Sequence, residues 1–372
     1  MASEITFEAL QAQFGDCLLL RYQDKGGTKR LWVIDGGPTG VYTNALEPRL
    51  AQLQKGQAPD GPLPVDVVMV SHIDDDHITG IAQMMRSLVQ QRGNRVDPWL
   101  DVKDVWFNSF SQLVGSMPAR TVTPAGLASF TGEITGAKEL DEVTSAVLAS
   151  VRQGRDLTVD VKSLDLPLNT PHPPLLSAPF AFTRNDAKVT VIGPLKQRLD
   201  KLQADWKKAE GLPAALAATL DSSVPNLSSI AMLVEIYGRK ILLTGDARGD
   251  DMVKGWEANG GAAGEPCPVN VLKMPHHGSI RNTTEAFLKK FPADHYVFSA
   301  NGRYDNPDSE TLELLINSQG NRKYTIHVTC EIHQFDGSKD QGATTRVEDI
   351  LKNGQAGRNY MYTIGSPVAI TL

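Results

Sequence analysis

One stretch of this chain decides its fold: Val68-Met-Val-Ser-His-Ile-Asp-Asp-Asp-His-Ile-Thr-Gly80. It begins inside the apolar run Val65–Val70, which predicts a buried strand. It ends where apolar side chains start to recur at helical intervals, which predicts a helix at about 79–91. Between the two, two histidines and three aspartates fall within six residues. Because loops at the carboxyl ends of strands converge on a crevice, this loop is predicted to carry the chemistry.

The loop offers nitrogen and oxygen donors at close spacing, in the pattern His72-x-Asp74-x-Asp76-His77. A mixed set of imidazoles and carboxylates suits Zn²⁺, Mn²⁺ or Fe²⁺ better than Ca²⁺. The alternative is an acidic turn that caps the following helix, since aspartates are favoured at helix N-termini.

Three more positions favour the metal site, because each follows an apolar strand in the same way. Asp35 follows 31–34, Asp246 follows 241–245, and His276-His277 follow 271–275. The carboxyl ends of Val65–Val70, Lys240–Thr244 and Val269–Met274 are therefore predicted to face one shared cleft.

The rest of the pattern predicts an α/β fold with two β-rich halves, each backed by helices. Short strands open the chain as an antiparallel sheet, a helix follows at about 43–54, and alternating strands and helices resume after Ser229. The segment from about 110 to 225 is less regular, with one helix predicted at 138–153, and we interpret it as an insertion or lid.

Composition excludes several classes of protein. No stretch reaches the roughly 18 apolar residues of a membrane span, and the first residues carry no signal-peptide pattern, so we expect a cytoplasmic protein without membrane contact. Three cysteines in 372 residues are too few for a disulfide framework. A net charge of −6 gives no support to a nucleic-acid substrate, although it does not exclude a local basic groove.

The successive motifs resemble those of the metallo-β-lactamase superfamily. More closely, 68–80, Asn226-Leu-Ser-Ser229, Leu243-Thr-Gly-Asp-Ala247 and Leu272-Lys-Met-Pro-His-His-Gly-Ser279 resemble the hydrolase domain of competence protein ComEC. Residues 301–308 resemble that family's tail, with Asn306 where a histidine usually precedes the proline. The resemblance covers about 1–110 and 225–330, and it implies a single domain folded as an αββα sandwich of two mixed β-sheets flanked by helices.

The resemblance also implies roles for individual residues. His72 and Asp74 would bind a first metal, Asp76 and His77 a second, and Asp246 would bridge both. One of His276 and His277 would complete the second site; we favour His277 as ligand and His276 as the acid that protonates the leaving group, with His333 as another candidate acid. The catalytic residues would be Asp76, Asp246 and His276. The residues that support the ligands or contact phosphate would be Asp35, Asn226 and Ser229.

Two departures from the commonest form of the family bear on the metal. Asp74 and Asn226 stand where histidines are usual, so oxygen replaces nitrogen at the first site. Harder ligands favour Mn²⁺ or Mg²⁺ over Zn²⁺ there. The expected cofactor is a pair of divalent ions, Mn²⁺ or Zn²⁺, with a single-ion site as the alternative.

Three functions are compatible with these motifs. The first is a phosphodiesterase or nuclease that uses a water activated by two metals on a phosphoester or nucleic acid. The second is a hydrolase of a lactone, thioester or lactam, which the replaced histidines disfavour. The third is a module of the same fold that senses a ligand or holds a partner without catalysis, which the retained ligand set disfavours.

Overall fold

The computed structural model describes residues 4–109, 152–170, 174–200, 228–329 and 342–372, the side chains of 342–346 excepted. Asn226, His333 and most of the helix predicted at 138–153 lie outside these residues. Within the described residues, no helix is long and apolar enough to cross a membrane.

The strands are, in chain order, β1 (Thr6–Ala9), β2 (Leu18–Gln23), β3 (Lys29–Ile34), β4 (Leu63–Val65), β5 (Val67–Val70), β6 (Leu100–Val102), β7 (Val105–Phe107), β8 (Phe180–Arg184), β9 (Ala187–Gly193), β10 (Ala231–Ile236), β11 (Arg239–Leu243), β12 (Val269–Lys273), β13 (Ala293–Phe298), β14 (Tyr324–Val328), β15 (Tyr360–Ile364) and β16 (Val368–Thr371). The α-helices are α1 (Glu47–Gln57), α2 (Asp75–Gly93), α3 (152–163), α4 (Gly249–Ala258), α5 (Glu285–Lys290), α6 (Ser309–Gln319) and α7 (Gly342–Gly354). A π-helical turn (Tyr42–Leu46) leads into α1, and a helical turn begins at 196.

Two large mixed sheets form the framework. The first has the order β16-β1-β2-β3-β5-β7, antiparallel from β16 to β3 and parallel from β3 to β7. The second has the order β15-β14-β13-β12-β11-β10-β9-β8, with β11 to β15 parallel. β4 and β6 form a separate parallel pair.

Three apolar cores separate the layers. One lies between the sheets, where Trp32 and Met69 of the first sheet share a cluster with Met232 and Val271 of the second. A second packs α1, α2 and α3 on the outer face of the first sheet, and a third packs α4 to α7 on the outer face of the second. This arrangement is the predicted αββα sandwich, since each sheet buries one face against the other sheet and one against helices.

Some boundaries differ from the sequence prediction, for physical reasons. The strand predicted at Val65–Val70 is split at Asp66, whose carboxylate accepts a hydrogen bond from the Leu31 amide (3.1 Å) and pairs with Arg30 (2.8 Å). The helix predicted from 79 begins at Asp75, because acidic residues are favoured in the first turn.

The segment from 110 to 225 contains part of the framework. β8 and β9 pair with each other, and β9 pairs with β10, so both belong to the second sheet. These two strands were not predicted from the sequence, because their alternation of apolar and polar residues is short and follows a proline-rich stretch. An insertion or lid is therefore confined to the remainder of that segment, where it stays a prediction.

The parallel strands bring four loops to one edge of the sandwich. The loops after β3, β5, β11 and β12 begin at Asp35, Ser71, Thr244 and Met274. The Ile230 amide, just before β10 of the second sheet, donates to the Ser71 carbonyl (2.8 Å) in the loop after β5 of the first. Within the second sheet, the His276 amide donates to the Gly245 carbonyl (3.1 Å) and joins the loops after β11 and β12. The predicted strand ends therefore do face a common cleft.

Candidate metal centre

The loop after β5 places two imidazoles on either side of a helix start. His72 leaves the strand end, Asp74 is extended, and His77 lies in the first turn of α2. Gly36 and Gly80 allow the first turns of α2 to pack closely on the chain after β3. A Cβ on Gly80 would lie 2.0 Å from the Gly36 carbonyl oxygen, so only glycine permits this backbone contact. α2 therefore starts directly against the end of β3.

Two sets of ligand atoms converge in the cleft. The first ligand group is His72, Asp74, His276 and Asp246; the second ligand group is His77, Asp76, His277 and Asp246. In the first, His72 Nε2 lies 3.6 Å from Asp74 Oδ2 and 3.5 Å from Asp246 Oδ2, and His276 Nε2 lies 3.6 Å from the same Asp246 oxygen.

The second ligand group is tighter. His77 Nε2 lies 3.3 Å from Asp246 Oδ1, 3.3 Å from His277 Nε2 and 3.7 Å from Asp76 Oδ2. His277 Nε2 lies 3.1 Å from Asp76 Oδ2 and 3.7 Å from Asp246 Oδ1. Tetrahedral ligands with bonds of about 2.0–2.1 Å stand about 3.3 Å apart, and the distances of 3.1–3.7 Å given for the two groups lie near that value.

Asp246 is shared between the groups, one oxygen to each. Its backbone is fixed by the tight turn after β11, where Gly245 has φ +48° and a Cβ would lie 2.4 Å from Ser229 Oγ. The Asp246 amide donates to that same hydroxyl (3.0 Å), and the Asn282 side-chain amide donates to the Asp246 carbonyl (2.7 Å). The carboxylate is thus held at a fixed place between the two sets of imidazoles.

In each ligand group, one buried atom without a partner in the described part of the chain indicates that a cation binds there. His72 Nε2 in the first and Asp246 Oδ1 in the second have no hydrogen-bond partner among the described residues. Buried polar atoms are normally paired, and an unpaired one is costly. Each group offers two nitrogens and two oxygens, a donor set that fits Zn²⁺, Mn²⁺ or Fe²⁺.

Each imidazole is oriented from its Nδ1 side, which leaves Nε2 for the cleft. His77 Nδ1 contacts Asp35 (2.9 Å), His72 Nδ1 contacts Ser71 Oγ (3.1 Å), and His277 Nδ1 donates to the Ser299 carbonyl (2.9 Å). Such partners fix the ring and its tautomer in metal sites. His276 Nδ1 likewise contacts Asn282 Oδ1 (2.9 Å).

His276 and His277 are both brought to the cleft, on opposite oxygens of Asp246. Both have left-handed backbone conformations, with φ of 47° and 55°, which are strained for residues other than glycine. These conformations turn two neighbouring side chains toward different ligand groups. The spacing of the two histidines in the sequence could not reveal these orientations, because a left-handed conformation at two successive residues is not predicted from spacing.

The charges in the cleft stabilise one another. Burial alone would raise the pKa of Asp246, but the surrounding imidazoles, led by His276 and His77, hold it well below its usual value. Burial alone would lower the pKa of His277, but Asp246 and Asp16 outweigh both burial and Lys273 and raise it to about 9. A cation that binds here therefore has to displace imidazole protons.

The other predicted site residues lie around this cleft. Asp35 accepts hydrogen bonds from the Ser71 amide and hydroxyl, both at 2.7 Å, as well as facing His77. Asp75 points away, since it is exposed and bonded to Thr79. The sequence did not indicate that Asp16, Ser71, Asn282 and Ser299 support the site. Lys273 alone gave a signal, as a charged residue inside a strand predicted to be buried.

An aromatic cluster lies beside the ligand loops. Arg303 stacks on Phe14 (4.3 Å) and Tyr304 (5.1 Å), and Tyr304 is 69% exposed. A Cβ on Gly15, next to Phe14, would lie 2.0 Å from the Asp76 carbonyl oxygen, so this loop packs on the second ligand group. No carboxylate among the described residues pairs with the Arg303 guanidinium.

Solved structures to which the chain is similar include the diiron β-hydroxylase CmlA from Streptomyces venezuelae, at 11% identity and TM-score 0.40, covering 98% of this chain and 54% of that one. Zn²⁺-bound PqqB from Methylobacterium extorquens is 11% identical with TM-score 0.37, covering 95% and 87%. A long form RNase Z from yeast is 9% identical with TM-score 0.34, covering 86% and 42%. The chain spans about half the length of CmlA. No curated protein sequence matches the chain.

The sequence profile of the metallo-beta-lactamase superfamily matches residues 11–303, which include both ligand groups and the loops that carry them. The αββα layers and the cleft at the strand ends agree with that match. The chain belongs to the metallo-β-lactamase superfamily of metal-dependent hydrolases.

Proposed function

We propose that this chain is a phosphodiesterase that holds two divalent cations, one at each ligand group. The observation that carries the proposal is Asp246, whose two oxygens face different groups at 3.3–3.7 Å. A carboxylate placed in this way can hold two cations at a fixed separation. Two such cations polarise a phosphoryl group and lower the pKa of water, which provides the nucleophile.

The chain's own residues prepare this centre before a substrate arrives. Asp35, Ser71 and Ser299 fix the imidazoles through Nδ1, so little reorganisation is required when charge develops in the cleft. Asp76 and Asp246 are negatively charged at neutral pH, because the neighbouring imidazoles lower the pKa of both carboxyl groups.

The choice of phosphodiesters rests on charge. Half of the donors in each group are carboxylate oxygens, the hard ligands that suit phosphoryl chemistry. Arg303 supplies an exposed guanidinium beside the cleft with no carboxylate competing for it among the described residues, and guanidinium binds phosphate strongly. The reacting group of a lactone, thioester or lactam is uncharged, whereas that of a phosphodiester has a negative charge for the guanidinium to bind.

Hydrolysis of bis(p-nitrophenyl) phosphate by cation-loaded protein tests the proposal. We expect release of p-nitrophenol from the diester to exceed turnover of a β-lactam, a lactone or a thioester. Faster turnover of any of those three would support the alternative hydrolase. Failure to bind any divalent cation would favour the non-catalytic module.

His276 is proposed as a ligand of the first group and not as the acid. Asn282 donates its amide to Asp246, so its Oδ1 accepts from His276 Nδ1 and the neutral imidazole has no proton on Nε2. The neutral ring in that tautomer can bind a cation through Nε2, whereas only the doubly protonated ring, which cannot bind one, would have an Nε2 proton to give to a leaving group. This assignment replaces the role that we favoured from the sequence.

His276→Ala is expected to lower the cation content from two per chain to one, because the first group loses a nitrogen while the second stays intact. Metal analysis of the purified variant measures this directly. The control is His295→Ala. It removes a half-buried imidazole in the middle of β13, away from the carboxyl ends of the strands, and should keep both cations. Retention of two cations by His276→Ala, with loss of turnover, would instead assign His276 as the acid.

Arg303→Ala is expected to raise KM for the diester about 10-fold with little change in kcat, since a charged hydrogen bond lost at an exposed position costs about 1.4 kcal/mol. Steady-state kinetics at low salt give both constants. Arg239→Ala is the matched control, because Arg239 is exposed at the amino end of β11, opposite Asp246. An unchanged KM for Arg303→Ala would remove the guanidinium from substrate binding.

A further inference from the structure

A buried ion pair lies behind the second ligand group. Asp16 precedes β2 and Lys273 is the last residue of β12; their side chains are 1% and 0% exposed. The Lys273 ammonium contacts Asp16 Oδ2 and lies 3.5 Å from the Gly245 carbonyl oxygen. Burying such a pair costs more in desolvation than it returns unless something else is gained.

The Asp16 carboxylate faces the rear of two ligating rings. Its Oδ1 lies 3.5 Å from His277 Nδ1, and its Oδ2 lies 3.7 Å from His77 Nδ1. The Asp16 amide also donates to the Asp76 carbonyl (3.1 Å). Asp16 therefore contacts three of the four members of the second ligand group, all from the side away from the cleft.

Asp16 is not itself placed to bind a cation. Ligand atoms of Asp16, His77 and His277 do lie within 4.8 Å of one another. However, the two Nδ1 atoms are engaged by Asp35 and Ser299 at 2.9 Å, and the ammonium of Lys273 already contacts the carboxylate. A second positive charge in that space would be repelled by the first.

Lys273 also fits the charge count of the centre. Five aspartates, Asp16, Asp35, Asp74, Asp76 and Asp246, surround the ligating imidazoles, and Lys273 is the buried cation among them. With neutral imidazoles and all five ionised, the cluster has four net negative charges, which two divalent cations balance. Without Lys273, Asp16 would leave one negative charge uncompensated in the interior.

We propose that Asp16 and Lys273 are a positioning pair for the second cation site: the Asp16 amide holds the backbone of Asp76, the Asp16 carboxylate packs behind the rings of His77 and His277 without a hydrogen bond to either, and Lys273 cancels the charge that Asp16 brings. The inference rests on the two-cation centre of the proposed function. Because the pair is neutral as a unit, it orients ligands without changing the charge that the cations have to balance.

The double variant Asp16→Asn/Lys273→Met tests the proposal, because it removes both charges together and leaves no buried ion unpaired. Calorimetric titration of cation-stripped protein with Mn²⁺ measures each site separately. We expect the second site to weaken about 10–100-fold, as for other residues that orient ligands, and the first site to keep its affinity.

The matched control is Asp104→Asn/Arg184→Met. It removes another ion pair (2.9 Å), of a buried carboxylate with a partly exposed guanidinium, at the amino end of β7, and both sites should keep their wild-type affinity. If the double variant of Asp16 and Lys273 does not fold by circular dichroism, Asp16→Asn/Lys273→Gln, which keeps polar side chains at both places, is titrated, with the same expected loss at the second site.

Wild-type affinity at both sites in either Asp16 variant would overturn the inference, as would an equal loss in the control. This outcome is distinct from failure of the proposed function. If wild-type protein binds two Mn²⁺ ions but does not cleave a diester, the phosphodiesterase proposal falls while the positioning pair is still tested by the titration.

Discussion

Asp246→Asn is expected to lower hydrolysis of bis(p-nitrophenyl) phosphate by on the order of 10³-fold, more than the 10- to 100-fold typical of losing a residue that only orients a ligand. The reason is that one carboxylate serves both ligand groups, so an amide in its place weakens both cation sites at once. Asp76→Ala should abolish turnover, but it should remove only the second of the two cations. Turnover and metal content, measured on the same preparations, separate these two effects.

The fold should survive both substitutions, because the sheets are held by apolar cores that do not include these side chains. Asp251→Asn is the control, since Asp251 is a buried carboxylate on α4 that pairs with Arg198 (3.1 Å) outside the cleft. It should retain near wild-type turnover. Wild-type turnover in Asp246→Asn would show that the shared carboxylate is not required.

Removal of the cations is expected to abolish turnover, and Mn²⁺ is expected to restore it better than Zn²⁺. Asp74 gives the first ligand group a carboxylate in place of the usual imidazole, and hard oxygen ligands favour the harder ion. Asp74→His should shift the preference toward Zn²⁺, because it restores a nitrogen donor at a position that is already extended and 34% exposed. Turnover of stripped protein against each added ion gives the ratio.

Asp75→His is the matched control for that shift. Asp75 is the neighbouring residue, but its side chain is exposed and bonded to Thr79 (2.7 Å) instead of facing the cleft. Its variant should keep the Mn²⁺ preference of the wild type. If Zn²⁺ is the one ion that restores turnover of the stripped wild-type protein, the assignment of Asp74 to the first group is contradicted.

The sequence was sufficient to predict most of the framework and most of the cleft. Apolar runs that end in Asp35, Ser71-His72, Asp246 and His276 predicted parallel strand ends at one edge, and the structure brings those ends together. Strand ends were informative because a buried strand leaves a strong apolar signal and its first polar residue marks the loop. The finer resemblance to ComEC stays a prediction.

What the sequence did not predict depends on contacts between distant segments. Asp16 and Lys273 are far apart in the chain, and nothing in either neighbourhood indicates that they meet. The left-handed backbone at His276 and His277 is set by its surroundings, not by a local residue preference. β8 and β9 were missed because short alternation carries little signal until β10 is there to pair with it.

The contact between His77 and His277 joins residues 200 positions apart. During synthesis from the N-terminus, a chain that ends before His277 has its first imidazoles but no complete coordination shell, so cation capture has to follow the docking of the second sheet. Contacts between residues so far apart in the chain form slowly, so the complete second ligand group is expected to assemble late in folding. Since a cation that binds only the finished centre adds its binding free energy to the native state, cation supply in the cell would set how long the folded protein persists.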